Sequence, residues 1–320
     1  MGRSRNSLLI VSLTGGLGNQ LFQVANAIRL ELDTKLLLTK NFGRPRLNNL
    51  GEAEIASFNL PFSHEFTKNA EAPYLLRKVL GHTLKISEHP IRHEKSALYF
   101  LSFQIFSSIL ASIYYRKITI IKTTKDKASG RNSKFFNYLS LGYFQFMPKE
   151  LEVFSREVMG KIEILSKTEK LQEEMFYALA RKILFVHIRL TDYSNEPDIG
   201  LLNISYYNRA MQQYLKRIQI KEIWIFSDDH VMAGKILSIP GDVKTRFISE
   251  EDFSVAESFE LLRCGSYYVL SNSTFGWWAA FLSKKKDPLV IMPSPWFRNL
   301  KYDASLKIRN WEQIPAEWSQ

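Results

Sequence analysis

Residues 183–193 read ILFVHIRLTDY, and this stretch decides the fold prediction for the chain. A short, mostly apolar run at 183–188 is typical of a buried strand, and polar side chains follow it directly. Further runs of this kind alternate with helical patterns as far as residue 292. The predicted strands are 183–188, 223–227, 246–248, 267–270 and 289–292, and the predicted helices are 167–180, 206–215, 255–263 and 275–283. Strands that alternate with helices predict a parallel sheet whose ligands bind at the carboxyl ends of the strands.

The beginning of the chain carries a second unit of the same kind. Residues 8–13 (LLIVSL) form an apolar strand pattern, a glycine-rich turn follows, and apolar residues then repeat at helical spacing from Leu21 to Leu32. Two such units predict an α/β fold with two Rossmann-like domains, whose parallel sheets face a cleft. We place the boundary near residue 150, which gives domains 1–150 and 151–320.

Composition excludes several classes of protein. The 320 residues are 45% hydrophobic and 23% charged, as in an ordinary globular chain and unlike a disordered, collagen-like or small disulfide-rich protein. The single cysteine, Cys264, excludes an intramolecular disulfide and a cysteine-based zinc site. Of the six histidines, only His89 and His93 are four positions apart, and neither a cysteine pair nor the Glu of a His-Glu-x-x-His motif accompanies them. These features predict a cytoplasmic protein without a metal.

The net charge of +11 is concentrated in one segment. Thirteen lysines and arginines but four acidic residues lie between Thr67 and Phe135, which we call the basic block. The basic block has three interpretations: a solvated face, a surface that binds nucleic acid, and a surface that binds an anionic membrane. An uncharged aromatic stretch at 97–115 favours the membrane surface, and no nucleic-acid-binding motif is present. Serines and a glutamine interrupt that stretch, which argues against a membrane-spanning helix.

The glycine turn does not match the dinucleotide fingerprint, because Leu21 stands where a third glycine belongs. A nicotinamide enzyme is therefore poorly supported. Asn19 and Gln20 follow Gly18 at the start of a helix, where backbone N–H groups can meet an anion or sugar hydroxyls. The alternative is a tight connection from strand to helix without a binding role.

Alternation along the strand sends His187 and Arg189 to the same face at its carboxyl end. An arginine there can hold a phosphate through two parallel hydrogen bonds. Asp192 could orient Arg189 or accept a proton during catalysis. The alternative is an internal Arg–Asp ion pair at the end of a strand.

Two further strand ends carry polar residues. Residues 271–274 (SNST) precede an apolar helix, which predicts an anion site at its N-terminus or a simple helix cap. Asp228 ends another strand, where its carboxylate could accept hydrogen bonds from a base or a ribose hydroxyl. No Asp-x-Asp pattern occurs in the chain, so we expect Arg189 and helix N-termini to replace a metal.

Together these motifs resemble those of the family-11 glycosyltransferases, the α-1,2-fucosyltransferases, in the same order. They are GGLGNQLFQ at 15–23, GYFQ at 142–145, HIRLTDY at 187–193, FSDD at 226–229 and SNSTFGWWAA at 271–280. The resemblance spans roughly residues 13–297. Two positions depart from the family pattern: Leu190 replaces a second arginine, and Gly276 replaces a serine found in many bacterial members.

The resemblance implies a GT-B architecture and inverting transfer of L-fucose from GDP-β-L-fucose to the 2-hydroxyl of a galactoside. It implies no cofactor and no metal. The acceptor would belong to a surface polysaccharide or a lipid-linked oligosaccharide at the inner face of the membrane. Transfer of another sugar from GDP, another linkage, and a carbohydrate-binding or nucleic-acid-binding protein are the alternatives.

The resemblance also implies roles for individual residues. Arg189 would bind the β-phosphate, and Asp228 would lie near guanine. The sugar and phosphate would face Gly18 and Asn19. Arg189, Asp192 and Asn19 are the predicted catalytic residues. The predicted donor-binding residues are Gly18, Gln20, His187, Asp228, Ser273, Thr274 and Phe275.

Overall fold

The chain folds into two compact units. The first comprises Met1–Ala56 and Leu60–Ile162, and the second comprises Ser57–Asn59 and Glu163–Gln320. The computed structural model describes residues 9–30, 36–67, 78–80, 105–106, 109, 118–121, 137–145, 147, 149–191, 198–249, 251–299 and 306–319. Each unit contains its own parallel sheet.

The first unit is built around a five-stranded sheet of order β4-β2-β1-β6-β5, in which every pair is parallel. Strand β1 lies in the middle, and all four of its residues are buried. Two further short strands, β3 and β7, pair with each other antiparallel in the second unit. The elements to residue 164 are β1 (Leu9–Ser12), α1 (Leu17–Leu30), β2 (Leu36–Thr39), β3 (Phe58–Asn59), β4 (His64–Phe66), β5 (Ile118–Ile121), β6 (Asn137–Ser140), α2 (Lys149–Met159) and β7 (Glu163–Ile164).

The second unit contains a six-stranded parallel sheet of order β10-β9-β8-β11-β12-β13. Numbered from β8, this order is 3-2-1-4-5-6, that of the Rossmann fold. The order reverses between β8 and β11, which marks the expected ligand position. The elements are α3 (Glu169–Leu179), β8 (Ile183–Ile188), α4 (Ile204–Arg217), β9 (Glu222–Ser227), α5 (His230–Ile236), β10 (Lys244–Ile248), α6 (Val255–Leu262), β11 (Tyr267–Val269), α7 (Thr274–Phe281), β12 (Leu289–Ser294) and β13 (Glu312–Pro315).

Burial and local capping explain why the strands and helices of the second unit can be predicted from the sequence. All six residues of β8 are buried, since helices cover both faces of a parallel sheet. Helix boundaries follow local capping: Asn203 caps α4, and Ser254 with Glu257 forms a capping box on α6. Helix α7 has buried side chains from Trp277 to Phe281, which makes it a core helix without a polar face.

The predicted α/β class with parallel sheets in two Rossmann-like units is confirmed. The division falls between Ile162 and Glu163, later than the predicted boundary near 150, because α2 packs against α1. The edge strand β13 and all strands of the first sheet except β1 were not predicted. Edge strands and short strands carry weak hydrophobic patterns, so their formation depends on the neighbouring strands with which they pair.

Two sequence features fall largely on residues that the structure does not describe. The aromatic stretch 97–115 is described only at 105, 106 and 109, and the basic block at these positions and at 67, 78–80 and 118–121. Among the described residues, no helix has the length and apolar character needed to cross a membrane.

Candidate active site

The candidate site of the second unit lies where the strand order reverses. Strand β8 delivers His187 and Arg189 at its carboxyl end, and β11 leads into the turn 271–273 that opens α7. The Ser271 backbone N–H donates to the His187 carbonyl at 3.0 Å, which holds the two strand ends together. The two motifs, 84 residues apart in sequence, thus form one site.

His187 is buried, with 4% of its surface exposed, and its ring is held on several sides. Its Nδ1 lies 2.9 Å from the Ser271 hydroxyl, and the ring stacks on Phe275 with centroids 5.6 Å apart. Burial, and then the Arg189 charge, lowers the pKa of His187 to about 3, although Asp228 opposes this shift. His187 is therefore neutral at physiological pH and serves as a hydrogen-bonding group.

Arg189 is paired with Asp228, because its Nε lies 3.3 Å from Asp228 Oδ2. The same carboxylate accepts hydrogen bonds from the Leu190 N–H at 2.8 Å, the Thr191 N–H at 3.0 Å and the Thr191 hydroxyl at 2.5 Å. Burial raises the pKa of Asp228, but the Thr191 hydrogen bond and the Arg189 charge outweigh burial and hold it below its ordinary value. The carboxylate therefore stays charged.

The turn before α7 brings a hydroxyl and an amide to this site. Ser273 is the N-cap residue of α7 and 5% exposed, but its side chain makes no capping hydrogen bond. The Asn272 amide donates to the carbonyls of Ile199 and Gly200 at 3.2 and 3.0 Å, which anchors the loop that precedes α4. Thr274 begins α7, so its backbone N–H belongs to the positive end of the helix.

The glycine turn of the first unit is organised by two buried glutamines. Gln20 donates to the carbonyls of Gly15 and Arg46 at 2.9 and 3.2 Å and accepts from the Ile55 N–H at 2.9 Å. Gln23 exchanges hydrogen bonds with both backbone groups of Thr14. Gly15 adopts φ +70°, which glycine tolerates without strain. These side chains fix the path of the turn from inside.

A carboxylate occupies the N-terminus of α1. Glu54 is buried, and its Oε2 accepts the Leu17 N–H at 2.5 Å. A negative charge at this position stabilises the helix dipole, as a bound anion would. The chain therefore supplies its own carboxylate to the Leu17 N–H, in the place that a bound anion could take.

Asn19 lies in the first turn of α1, which follows β1. The strand order of the first sheet reverses between β1 and β6. The Asn19 Oδ1 accepts a hydrogen bond from Gln145 Nε2 at 2.9 Å. Gln145 follows Phe144, a buried residue with φ +52°. A left-handed backbone at a buried aromatic residue is strained and is often found at binding sites. The Asn19–Gln145 pair is thus a second polar cluster at the carboxyl ends of strands.

The amino-acid sequence matches glycosyl transferase family 11 over residues 8–314. The chain belongs to glycosyl transferase family 11. The resemblance predicted from the motifs is confirmed, and glycosyl transfer is the activity class of this chain.

Three known proteins are similar to this family-11 chain. It is 22% identical over 315 residues to the O-antigen biosynthesis glycosyltransferase WbnK of Escherichia coli, with 89% of this chain and 93% of that protein covered. It is 24% identical over 328 residues to an alpha-1,2-colitosyltransferase of Escherichia coli, with 98% of each covered. The crystal structure of POFUT1 in complex with GDP matches with a TM-score of 0.50 at 11% identity, covering 91% of this chain and 99% of that one, which supports the fold.

The structure sorts the predicted residues of this family-11 chain into three groups. His187, Arg189, Asp228 and residues 273–275 lie together at the reversal point of the second sheet. Gly18 and Asn19 lie in the first turn of α1 in the first unit, and Asp192 lies outside the described residues. Gln20 is fully buried and bonded to the turn itself, so its prediction as a donor-binding residue is corrected to a structural role.

Sequence reasoning missed two residues that shape the site, and it missed one contact of a third. The missed contact is the ion pair of Asp228, predicted as a donor-binding residue, with Arg189. Ser271 holds the His187 ring, and Glu54 caps α1. Each acts across 37 to 84 residues of sequence, a separation that local patterns do not report.

The two departures from the family pattern also have a structural explanation. The side chain of Leu190, where many members carry a second arginine, packs against the hydrophobic core. Gly276 touches His187: a Cβ built on it would lie 2.9 Å from the ring atoms Cγ and Nδ1. Leu190 thus contributes apolar surface instead of charge, and Gly276 lets the His187 ring lie against α7.

Proposed function

We propose that this protein is a metal-independent, inverting α-1,2-fucosyltransferase. It moves L-fucose from GDP-β-L-fucose to the 2-hydroxyl of a β-galactoside in a surface polysaccharide or a lipid-linked oligosaccharide. The observation that carries the proposal is the cluster of His187, Arg189 and the α7 N-terminus at the reversal point of a Rossmann sheet in a family-11 chain. Ligands of such sheets bind at this position.

Arg189 is the residue that opposes the charge of the leaving group. As the bond from fucose to phosphate breaks, negative charge grows on the β-phosphate while the sugar carbon becomes positive. A fixed guanidinium beside the β-phosphate stabilises that charge where it develops. Ser273 and the backbone N–H groups at the start of α7 supply further donors, and His187, which stays neutral, supplies a hydrogen bond without adding charge.

The chain's own cations and N–H groups take the part that a metal plays in other sugar-nucleotide enzymes. Among the described residues, no group of three His, Cys, Asp or Glu side chains could hold a metal ion. Our proposal assigns charge neutralisation to Arg189 and the N-terminus of α7. Activity in the presence of a chelator tests this part directly.

The names of the two relatives support the acceptor class and the linkage. One acts in O-antigen biosynthesis, and the other is named an alpha-1,2-colitosyltransferase. The second name also favours an alternative function, the α-1,2 transfer of a different sugar. We expect Asn19 with Gln145 to contact the sugars, because both carry amide groups suited to hydroxyls.

The first experiment measures GDP release from GDP-fucose in EDTA, with and without Galβ1-3GalNAc and Galβ1-4Glc, followed by linkage analysis of the product. We expect acceptor-dependent release and an α-1,2 product. Arg189→Ala should lower the rate about a hundredfold or more, since loss of one preorganised donor costs on the order of 3 kcal/mol. Arg217→Ala removes the same charge from an exposed ion pair with Glu312 and should leave the rate unchanged.

The outcomes separate the candidates. If GDP does not bind, the proposed function fails. GDP binding without turnover of GDP-fucose, combined with turnover of another GDP-sugar, would favour the alternative donor. A product linked elsewhere than the 2-hydroxyl would refute the linkage.

We further propose that the protein acts at the inner face of the membrane, where the basic block meets anionic lipid. Net positive charge in this segment is the supporting observation. Co-sedimentation with vesicles that contain an anionic lipid should fall steeply as salt rises, since charges are screened. Binding that does not respond to salt would contradict this part of the proposal.

A further inference from the structure

We infer that Asp228 is a positioning residue for Arg189, acting on the donor pyrophosphate and not on the nucleoside base. This inference rests on the proposed function, in which Arg189 binds the β-phosphate. The family resemblance led us to expect Asp228 near guanine, and the contacts of its carboxylate lead to a different role.

The carboxylate of Asp228 is already used by the turn that carries Arg189. Three hydrogen bonds reach it from Leu190 and Thr191, and Arg189 Nε lies 3.3 Å from Oδ2. A carboxylate offers about four acceptor sites, so these four donors account for its capacity. Recognition of a base through this group would require breaking one of these contacts.

Each of these contacts constrains Arg189. The Leu190 and Thr191 bonds fix the backbone as it leaves β8, and the contact at Nε fixes the plane of the guanidinium. The Asp228 side chain is only 8% exposed, and that of Arg189 is 17% exposed. Asp228 itself is held in place, because it immediately follows β9, which pairs with β8 up to Ser227.

Charge alone predicts the opposite effect of removing Asp228. A carboxylate 3.3 Å from Arg189 opposes the attraction of a phosphate to that arginine. Asp228→Asn would therefore strengthen pyrophosphate binding if Asp228 acted only through its charge. If Asp228 acts by positioning, Asp228→Asn weakens pyrophosphate binding. The NH₂ group of the asparagine would replace one carboxylate oxygen, and it cannot accept the hydrogen bonds that this oxygen accepts.

Inorganic pyrophosphate distinguishes positioning from base recognition, because it has no base. We would measure the binding of GDP and of inorganic pyrophosphate by titration calorimetry, without metal, for the wild type and Asp228→Asn. We expect both dissociation constants to rise by the same factor, about tenfold, which corresponds to about 1.4 kcal/mol. In an Arg189→Ala background, Asp228→Asn should have no further effect, since the two residues act as one unit.

Asp229→Asn is the matched control. Asp229 caps α5 by accepting the Met232 N–H, and asparagine caps equally well, so this variant changes the same charge one residue away. We expect it to bind GDP and pyrophosphate like the wild type. If Asp228→Asn fails to fold, Thr191→Val and Thr191→Ser replace it: only the valine removes the hydroxyl bonded to Asp228.

Three results would overturn the inference. Weaker GDP binding with unchanged pyrophosphate binding would assign Asp228 to the base. Tighter pyrophosphate binding by Asp228→Asn would show that Asp228 acts only through its charge. Equal losses in the wild-type and Arg189→Ala backgrounds would show that Asp228 does not act through Arg189. If the wild type binds neither GDP nor pyrophosphate, the proposed function itself fails, and this inference fails with it.

Discussion

Gly276→Ala tests how tightly His187 is held against helix α7. Gly276 is a buried residue in the first turn of α7, and an added Cβ would lie 2.9 Å from His187 Cγ and Nδ1. The ring cannot easily move, because it is bonded to Ser271 and stacked on Phe275. Overpacking of this kind costs about 1–3 kcal/mol, whereas alanine gains up to about 1 kcal/mol over glycine in a helix. We therefore expect a net destabilisation of roughly 1 kcal/mol.

Gly234→Ala is the matched control in the same unit. Gly234 lies in α5, is exposed, and has its nearest neighbour, Phe247 Cζ, at 3.4 Å from the added Cβ, an ordinary contact. This variant should gain up to about 1 kcal/mol from helix propensity alone. The two glycine variants should thus shift stability in opposite directions.

Urea unfolding followed by tryptophan fluorescence measures the second unit selectively, because all six tryptophans lie there. The reasoning is refuted if Gly276→Ala is as stable as Gly234→Ala. A further check removes the obstacle: in a His187→Ala background, Gly276→Ala should become stabilising, since the ring that it meets is gone.

Three further predictions concern single groups. The pKa of His187 is about 3 when folded and 6.5 when unfolded, so the unfolded chain binds more protons between these values and stability is lost as pH falls through 6.5. The free energy of unfolding, measured by urea titration, should be about 1.4 kcal/mol lower at about pH 5.5 than at about pH 7.5 because of His187, and His187→Gln should abolish this contribution. Burial raises the pKa of the Cys264 thiol to about 12, so a thiol reagent should label the native protein far more slowly than the urea-unfolded chain; fast native labelling would contradict the buried placement. Gln20→Leu leaves the Ile55 N–H without its acceptor and removes one of the two hydrogen bonds at each of the Gly15 and Arg46 carbonyls. The free energy of unfolding of the first unit, followed by circular dichroism in urea, should fall by about 1–3 kcal/mol, and a loss below about 0.5 kcal/mol would argue against a structural role.

Local patterns were sufficient for the class of fold. Buried parallel strands are continuous apolar runs, and amphipathic or capped helices separate them, so β8, β9 and α6 could be predicted from their own residues. The sequence also located the polar residues at the strand ends. The family resemblance assigned His187, Arg189 and residues 273–275 to one donor site, which agrees with the edge that the carboxyl ends of parallel strands share.

The roles of individual polar groups depended on tertiary structure. Gln20 and Asn19 are adjacent amides in the sequence, but Gln20 is bonded to Arg46 and Ile55 inside the unit, while Asn19 meets Gln145. Asp228 and Asp229 are likewise adjacent and chemically identical, yet one holds the Arg189 turn and the other caps α5. The sequence by itself determined the fold class, the family and the positions of the chemical groups. Only the tertiary structure decided which partner each group meets, because hydrogen bonds between distant segments depend on distances and directions that chain order does not specify.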